Sequence, residues 1–150
     1  MSIFNAINTS STGLSAERTR MDIISKNISN ANVTRTASGA PYRRQMVVFQ
    51  EKGPSFKEVM SQVVNGEIKD YDDKEKGVKI TQVVEDKTPF KKIYNPGHPD
   101  ADENGYVLMP NVEIIQEMVD MITASRGYEA NVAAVNASKS MAMKALEIGR

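Results

Sequence analysis

NVEIIQEMVDMITASRGYEANVAAVNASKSMAMKALEI (residues 111–148) runs without an internal proline and repeats its apolar side chains at helical spacing. Ile114, Met118, Met121, Ser125, Tyr128, Val132, Val135, Lys139, Ala142 and Leu146 follow one another in alternating steps of four and three, the seam of a coiled coil. Asn111, after Pro110, is the expected N-cap; Glu113 suits the positive end of the helix dipole, and Gly149 a left-handed C-cap. Ile115, Val119 and Ile122 widen the apolar surface beside the seam. Ala124, Gly127, Ala130, Ala133, Ala134 and Ala137 keep much of the remaining circumference slim. A helix of this kind expects neighbours on several sides. The long central helix of an ordinary bundle would fit the same letters.

Outward from that helix, the N-terminus repeats the arithmetic: Ile3, Ile7, Ser10, Leu14, Glu17, Met21, Ile24, Ile28 and Ala31 step by four and three. Ser2 is placed to cap this helix, and Asn27, Asn30 and Asn32 crowd its end, where a left-handed residue would close it. Ser10, Ser11 and Gly13 weaken its first half, because serine competes for backbone hydrogen bonds and glycine costs about 1 kcal/mol in a helix interior. Two seams at opposite ends of one chain predict an antiparallel pair. The fold class expected is α+β, with a terminal helix at 1–33, a small β-containing insert at 34–110 and a second terminal helix at 111–150.

Within the insert, 34–41 is a turn-rich connection with Gly39 and Pro41 as punctuation. Residues 42–50 (YRRQMVVFQ) read as a strand. Phe56, Val59, Met60, Val63 and Val64 suggest a short amphipathic helix after Pro54, and 67–76 is a mixed charge run expected in a solvated loop. Val78, Ile80, Gln82 and Val84 share one face of a second strand, Thr81 and Val83 the other. A polar segment, NPGHPDADENG (95–105), leads to a short strand at 106–109.

Composition narrows the function classes. Lysine plus arginine equals aspartate plus glutamate at 19 each, so no basic excess offers a footprint for nucleic acid. With no cysteine there are no disulfides, thiolate nucleophiles or cysteine metal sites. No apolar run reaches signal-peptide or membrane-spanning length. His98 is the single histidine; it lies between Gly97 and Pro99, with no nucleophile at a defined spacing, and reads as a solvated or turn-stabilising residue, so no catalytic residue is assigned. Asp100, Asp102, Asn104 and Gly105 match the first half of a calcium loop, yet the twelfth position is Asn111 instead of a bidentate glutamate. A polar turn explains the same letters, and neither metal nor cofactor is expected. Arg43 and Arg44 beside Tyr42 read as a solvated or ion-paired face.

Three stretches carry a resemblance: SSTGLSAERTRMDIISKNISNANVTRT (10–36), GAPYRRQ (39–45) and the run from NPGHPDADENGYVLMPNV through NASKSM (95–141). Together they resemble the bacterial flagellar basal-body rod proteins, and the run at 94–112 points to a proximal-rod subunit among them. Asn27, Asn30 and Asn32 with Thr34 resemble the family signature at the end of the first helix; residues 51–76 match no pattern of the family. The resemblance implies a non-enzymatic subunit that polymerises helically into a drive shaft, its terminal helices packing with those of sibling rod subunits. It implies export in a largely unfolded state through the flagellar type III apparatus, without a cleaved signal, to a site outside the inner membrane. The expected assembly interface comprises Ile3, Ile7, Leu14, Met21, Ile24 and Ile28 on the first helix, with Ile114, Met118, Met121, Tyr128, Val132, Val135, Ala142 and Leu146 on the second. A secreted calcium-dependent binding module and a stand-alone helical adaptor are the rival readings.

Overall fold

The apolar positions at steps of four and three form α1 (Ile3–Ser29), whose interior holds no proline. The computed structural model describes residues 3–53, Met60, Val64 and 77–148. The hydroxyls that weaken this helix turn back onto it: Thr12 Oγ1 donates to Thr9 O at 2.7 Å, Ser15 Oγ to Ser11 O at 3.2 Å and Ser29 Oγ to Ser25 O at 2.9 Å. The closure of α1 differs from the left-handed cap expected. Among the described residues no non-glycine has positive φ. Instead Asn30 N and Asn30 Nδ2 both donate to Lys26 O, at 3.1 and 2.8 Å, and Ala31 N donates to Ile28 O at 3.2 Å, tightening the last turn.

The connection after α1 folds back on itself, with Thr36 N donating to Ala40 O, Tyr42 N to Val33 O, and Gly39 supplying a φ of 80°. β1 (Gln45–Glu51) begins three residues later than the sequence suggests, because Tyr42 and Arg44 are drawn into side-chain contacts described below. It pairs with β2 (Val78–Glu85) in a two-stranded sheet. A strand that sequence reading passed over, β3 (Lys91–Tyr94), pairs antiparallel with β4 (Tyr106–Met109) in register Lys91↔Met109 through Tyr94↔Tyr106. Directly opposed residues share a face, so Val107 is buried on one side, while Tyr94 and Tyr106 meet edge to face on the other, ring centroids 5.3 Å apart.

The second long helix, α2, spans Ile114–Ile148 and not 111–148. Asn111 does not cap it; its side chain is held elsewhere, and the first helical hydrogen bond runs from Glu117 N to Glu113 O. Of the expected helix at 56–64, Met60 and Val64 are described, both helical and exposed. The remainder of that segment, the charge run at 67–76, Ser2, Gly149 and the side chain of Ile3 lie outside the described residues.

The chain divides into two compact units. One contains the described residues of Met1–Glu17, Phe49–Thr81 and Arg126–Arg150; the other contains Arg18–Val48 and Gln82–Ser125. In the first, Gly13 lies against Asn131 and Gly127 against Glu17, which makes α1 and α2 antiparallel there. In the second, Met21 meets Ser125 and Asn27 meets Glu117, with the same sense. The apolar core of the second unit is Ala31, Tyr42 and Val112, with Val33 packed against them.

Candidate assembly surface

Asn27 lies in the last turns of α1 and is almost wholly buried. Its amide is fully used. Nδ2 donates to Glu117 Oε2 and to Gln45 O, both at 2.9 Å, and Oδ1 accepts from Tyr42 Oη at 2.9 Å and Gln45 N at 3.0 Å. Glu117, on the first turn of α2, is 1% exposed, and its other oxygen accepts from Arg44 Nε. Arg44 also reaches Asp120 Oδ2 through Nη2 at 3.1 Å, and its backbone N donates to Asn111 Oδ1 at 2.8 Å. Asn111 Nδ2 in turn donates to Thr88 Oγ1 at 2.8 Å and Asp86 O at 3.2 Å. A buried carboxylate is tolerable only when paired and hydrogen-bonded, and here both of its oxygens are. This polar node therefore ties the end of α1, the start of β1, the 86–88 turn and the start of α2 within one unit.

The electrostatics of the node are one-sided. Burial pushes the Tyr42 phenol above its ordinary value, and the negative charges of Glu117 and Glu85 add to the shift. Hydrogen bonds from the Thr88 backbone and hydroxyl hold Asp86 below the usual carboxylate value, with Arg44 and Arg43 assisting. Arg43 donates to Asp86 O at 2.9 Å, and its guanidinium carbon lies 4.4 Å from the centre of the Phe90 ring. These groups fix geometry.

The two helices distribute their apolar side chains unequally. On α1 the expected seam points inward: Ile24 is buried, and Ile7, Leu14, Met21 and Ile28 are half-buried. On α2 the covered line coincides with the expected seam at Met121, Val135 and Ala142 and departs from it elsewhere. Glu117, Ala124 and Ser138 are buried there, and Met121, Asn131, Val135 and Ala142 are half-buried. Ile114, Met118, Tyr128, Val132 and Leu146 are exposed, as are Ile115, Val119 and Ile122, with Ile115 at 75% and Ile122 at 60%. Close approach is the physical reason. A Cβ on Gly13 would stand 3.0 Å from Asn131 Oδ1, and one on Gly127 3.2 Å from Glu17, so glycine occupies the two positions of closest approach. The bulky side chains are left on other faces.

The signature residues are divided among several roles. Asn27 is the hub of the node, Asn30 caps α1, Asn32 is exposed, and Thr34 Oγ1 donates to Asp100 Oδ2 at 2.8 Å. The candidate calcium residues are committed to protein donors. Asp102 Oδ1 accepts from Asn104 N and Tyr106 N, and Asp100 takes Thr34 with Arg35 at 3.9 Å. Among the described residues no group of three acidic, histidine or cysteine side chains is placed to hold a metal. His98 Nδ1 accepts from Asp100 N at 3.1 Å, which makes it part of the turn. Sequence reasoning missed Glu117, and it gave Asn111 the part of helix cap where the structure has it accepting from Arg44 N. A glutamate four residues before Met121 on an apolar helix, with the adjacent Arg43 and Arg44 elsewhere in the chain, was the signal that could have found the first.

No helix among the described residues is long and apolar enough to cross a membrane. Comparison with known proteins now adds to this geometry. A family described as flagella basal body rod protein matches residues 7–35, and one described as flagellar basal body rod FlgEFG protein C-terminal matches 103–148. The flagellar basal-body rod protein FlgC of Bacillus subtilis is 44% identical over 154 residues, covering all of both chains. That of Borreliella burgdorferi is 46% identical over 159 residues, covering 99% of this chain and 98% of its own. That of Salmonella typhimurium is 36% identical over 151 residues, again covering all of both. With likeness at this level from end to end, the chain belongs to the FlgC family of flagellar basal-body rod proteins.

Proposed function

We propose that the chain is a structural, non-enzymatic subunit of the proximal rod of the flagellar basal body, assembling through its terminal helices with sibling rod subunits and transmitting torque. The observation that carries this reading is the unequal face of α2: Glu117, Ala124 and Ser138 are buried, while Ile115, Met118, Val119 and Ile122 stay exposed on a regular helix. Burying apolar surface contributes about 25 cal/mol per Å², so a row of bulky side chains on a rigid helix is a ready docking stripe for other helices. The assembly residues expected on α2, from Ile114 to Leu146, belong to this stripe where they are exposed; the half-buried ones on α1 support it from within. The FlgC relatives are named as rod proteins, which favours sibling rod subunits as the occupants. Passage through the flagellar type III apparatus and residence outside the inner membrane belong to the same reading, as does the absence of a cofactor. Detergent-extracted basal bodies from cells carrying a tagged chain test it. The tag is expected in the rod after hook and filament are removed; a tag found only in the soluble fraction refutes the reading.

A further inference from the structure

The sequence contains two Asn–Gly dipeptides, Asn65–Gly66 and Asn104–Gly105. Asn–Gly is chemically labile because glycine leaves its backbone nitrogen unhindered. That nitrogen attacks the asparagine Cγ, the N–Cγ bond forms as the Cγ–Nδ2 bond breaks, and ammonia leaves behind a five-membered succinimide. Water then opens the ring at either carbonyl to give aspartate or isoaspartate. The step needs only water and hydroxide, together with a glycine nitrogen free to lose its proton and face Cγ.

We propose that Asn104 is a deamidation site that the fold keeps closed. Gly105 N is engaged, donating to Asp102 O at 2.9 Å. Its neighbours are pinned as well: Asn104 N and Tyr106 N donate to Asp102 Oδ1 at 2.9 and 2.8 Å, and Asp102 N donates to Tyr106 O at 2.9 Å. Glycine is required at this position. Its φ is 78°, and a Cβ there would stand 3.0 Å from Tyr94 and 3.2 Å from the Pro96 side chain. The turn that joins β3 to β4 thus demands the glycine of the labile dipeptide and at the same time withholds its nitrogen. Asn104 itself is exposed, so water meets no barrier. The closed hydrogen bond and the Asp102 side chain that pins its flanks are the protection, and any state that opens the turn exposes the site. Isoaspartate at 104 would insert a methylene into the main chain inside the loop closed by the bond from Gly105 N to Asp102 O, so the turn could not reclose in its present form. The inference does not depend on the assembly reading.

Peptide mapping by mass spectrometry of the full chain, incubated at pH 8 and 37 °C in buffer and in guanidinium chloride, tests it. Exchange of the Gly105 amide is followed in the buffer sample. The Asn104 peptide is expected to gain the mass of deamidation at least tenfold more slowly in buffer than in denaturant, with the Gly105 amide protected. Asp102→Ala, which removes two of the pinning bonds, is expected to raise the rate in buffer at least threefold. Asn104→Gln removes the mass gain in both samples. Equal rates for Asn104 in buffer and denaturant, or an unprotected Gly105 amide, overturn the proposal.

Discussion

Removing the carboxylate of Glu117 is the perturbation that the polar node should feel most. Glu117→Ala takes one acceptor from Asn27 Nδ2 and the partner from Arg44 Nε. Breaking a buried ion pair by deleting one member typically destabilises by about 3–5 kcal/mol, because a charge is left uncompensated. Arg44 is 23% exposed and keeps Asp120 at 3.1 Å, and Asn27 keeps Gln45 O, so the lower end applies and the loss is about 3 kcal/mol. For a chain of this length each kcal/mol moves the melting temperature by about 2–4 °C, which puts the expected drop at roughly 6–12 °C. Glu117→Gln keeps the shape and one acceptor, but it turns a donor toward either Asn27 Nδ2 or Arg44, and about 1.5 kcal/mol is expected. Replacing both partners, Glu117→Met with Arg44→Met, should recover part of the loss, since the buried charge goes with its partner and Asp120, the carboxylate left behind, reaches solvent. Thermal unfolding of the purified chain at pH 7, followed by circular dichroism, is the assay. A Glu117→Ala protein melting within about 1 °C of the parent refutes the claim that the node holds this unit together.

Tyr42, raised above the ordinary tyrosine value of 10.0, is protonated in the folded state at pH values where it has ionised in the unfolded chain. The folded state then binds more protons, so stability should fall as pH rises past 10.0 toward the folded value, and Tyr42→Phe should flatten that alkaline slope while losing about 1 kcal/mol near neutrality. Asp86 is lowered, so its contribution is present above 3.8 and is lost as pH falls below that toward the folded value. Thr88→Ala, which leaves the Thr88 backbone bond and removes the hydroxyl, should weaken this acid dependence in a pH series of denaturant melts. Leu14→Asp on the inner face of α1 and Val132→Asp on the exposed side of α2 are both expected to give expressed, soluble chains and non-swimming cells, because each leaves an unpaired charge in a helix interface. Normal swimming with either substitution counts against the paired-helix and docking account.

Much of the fold was legible because its long elements carry strong periodicity. The spaced apolar positions of α1 from Ile7 to Ile28 are buried or half-buried, and β2 and β4 appear where alternation and apolar runs place them. β3 escaped notice because KKIY is four residues long, with too few alternations to separate it from a loop. On α2 the covered line shares Met121, Val135 and Ala142 with the expected seam and departs from it elsewhere. Periodicity identifies the stripe of largest apolar residues, whereas the face turned toward α1 was chosen by close approach at Gly13 and Gly127, which favours Ala124, Asn131 and Ser138. A helix with apolar residues on several sides does not announce which side its own chain will cover. The polar node was half visible: the asparagine cluster stood out at the end of α1, but nothing local to Glu117 or Asn111 states that their partners lie 90 and 67 residues away, on Asn27 and Arg44.

The central claim is that the bulky face of α2 meets other subunits while the small face meets α1. A photo-crosslinking residue at Ile122 and, in a separate strain, at Ala124, two positions apart on α2 with opposite burial, measures this in cells with assembled basal bodies. The account predicts that Ile122 crosslinks to another rod subunit and that Ala124 yields only crosslinks within its own chain. Intermolecular crosslinks from Ala124 with none from Ile122 would contradict it.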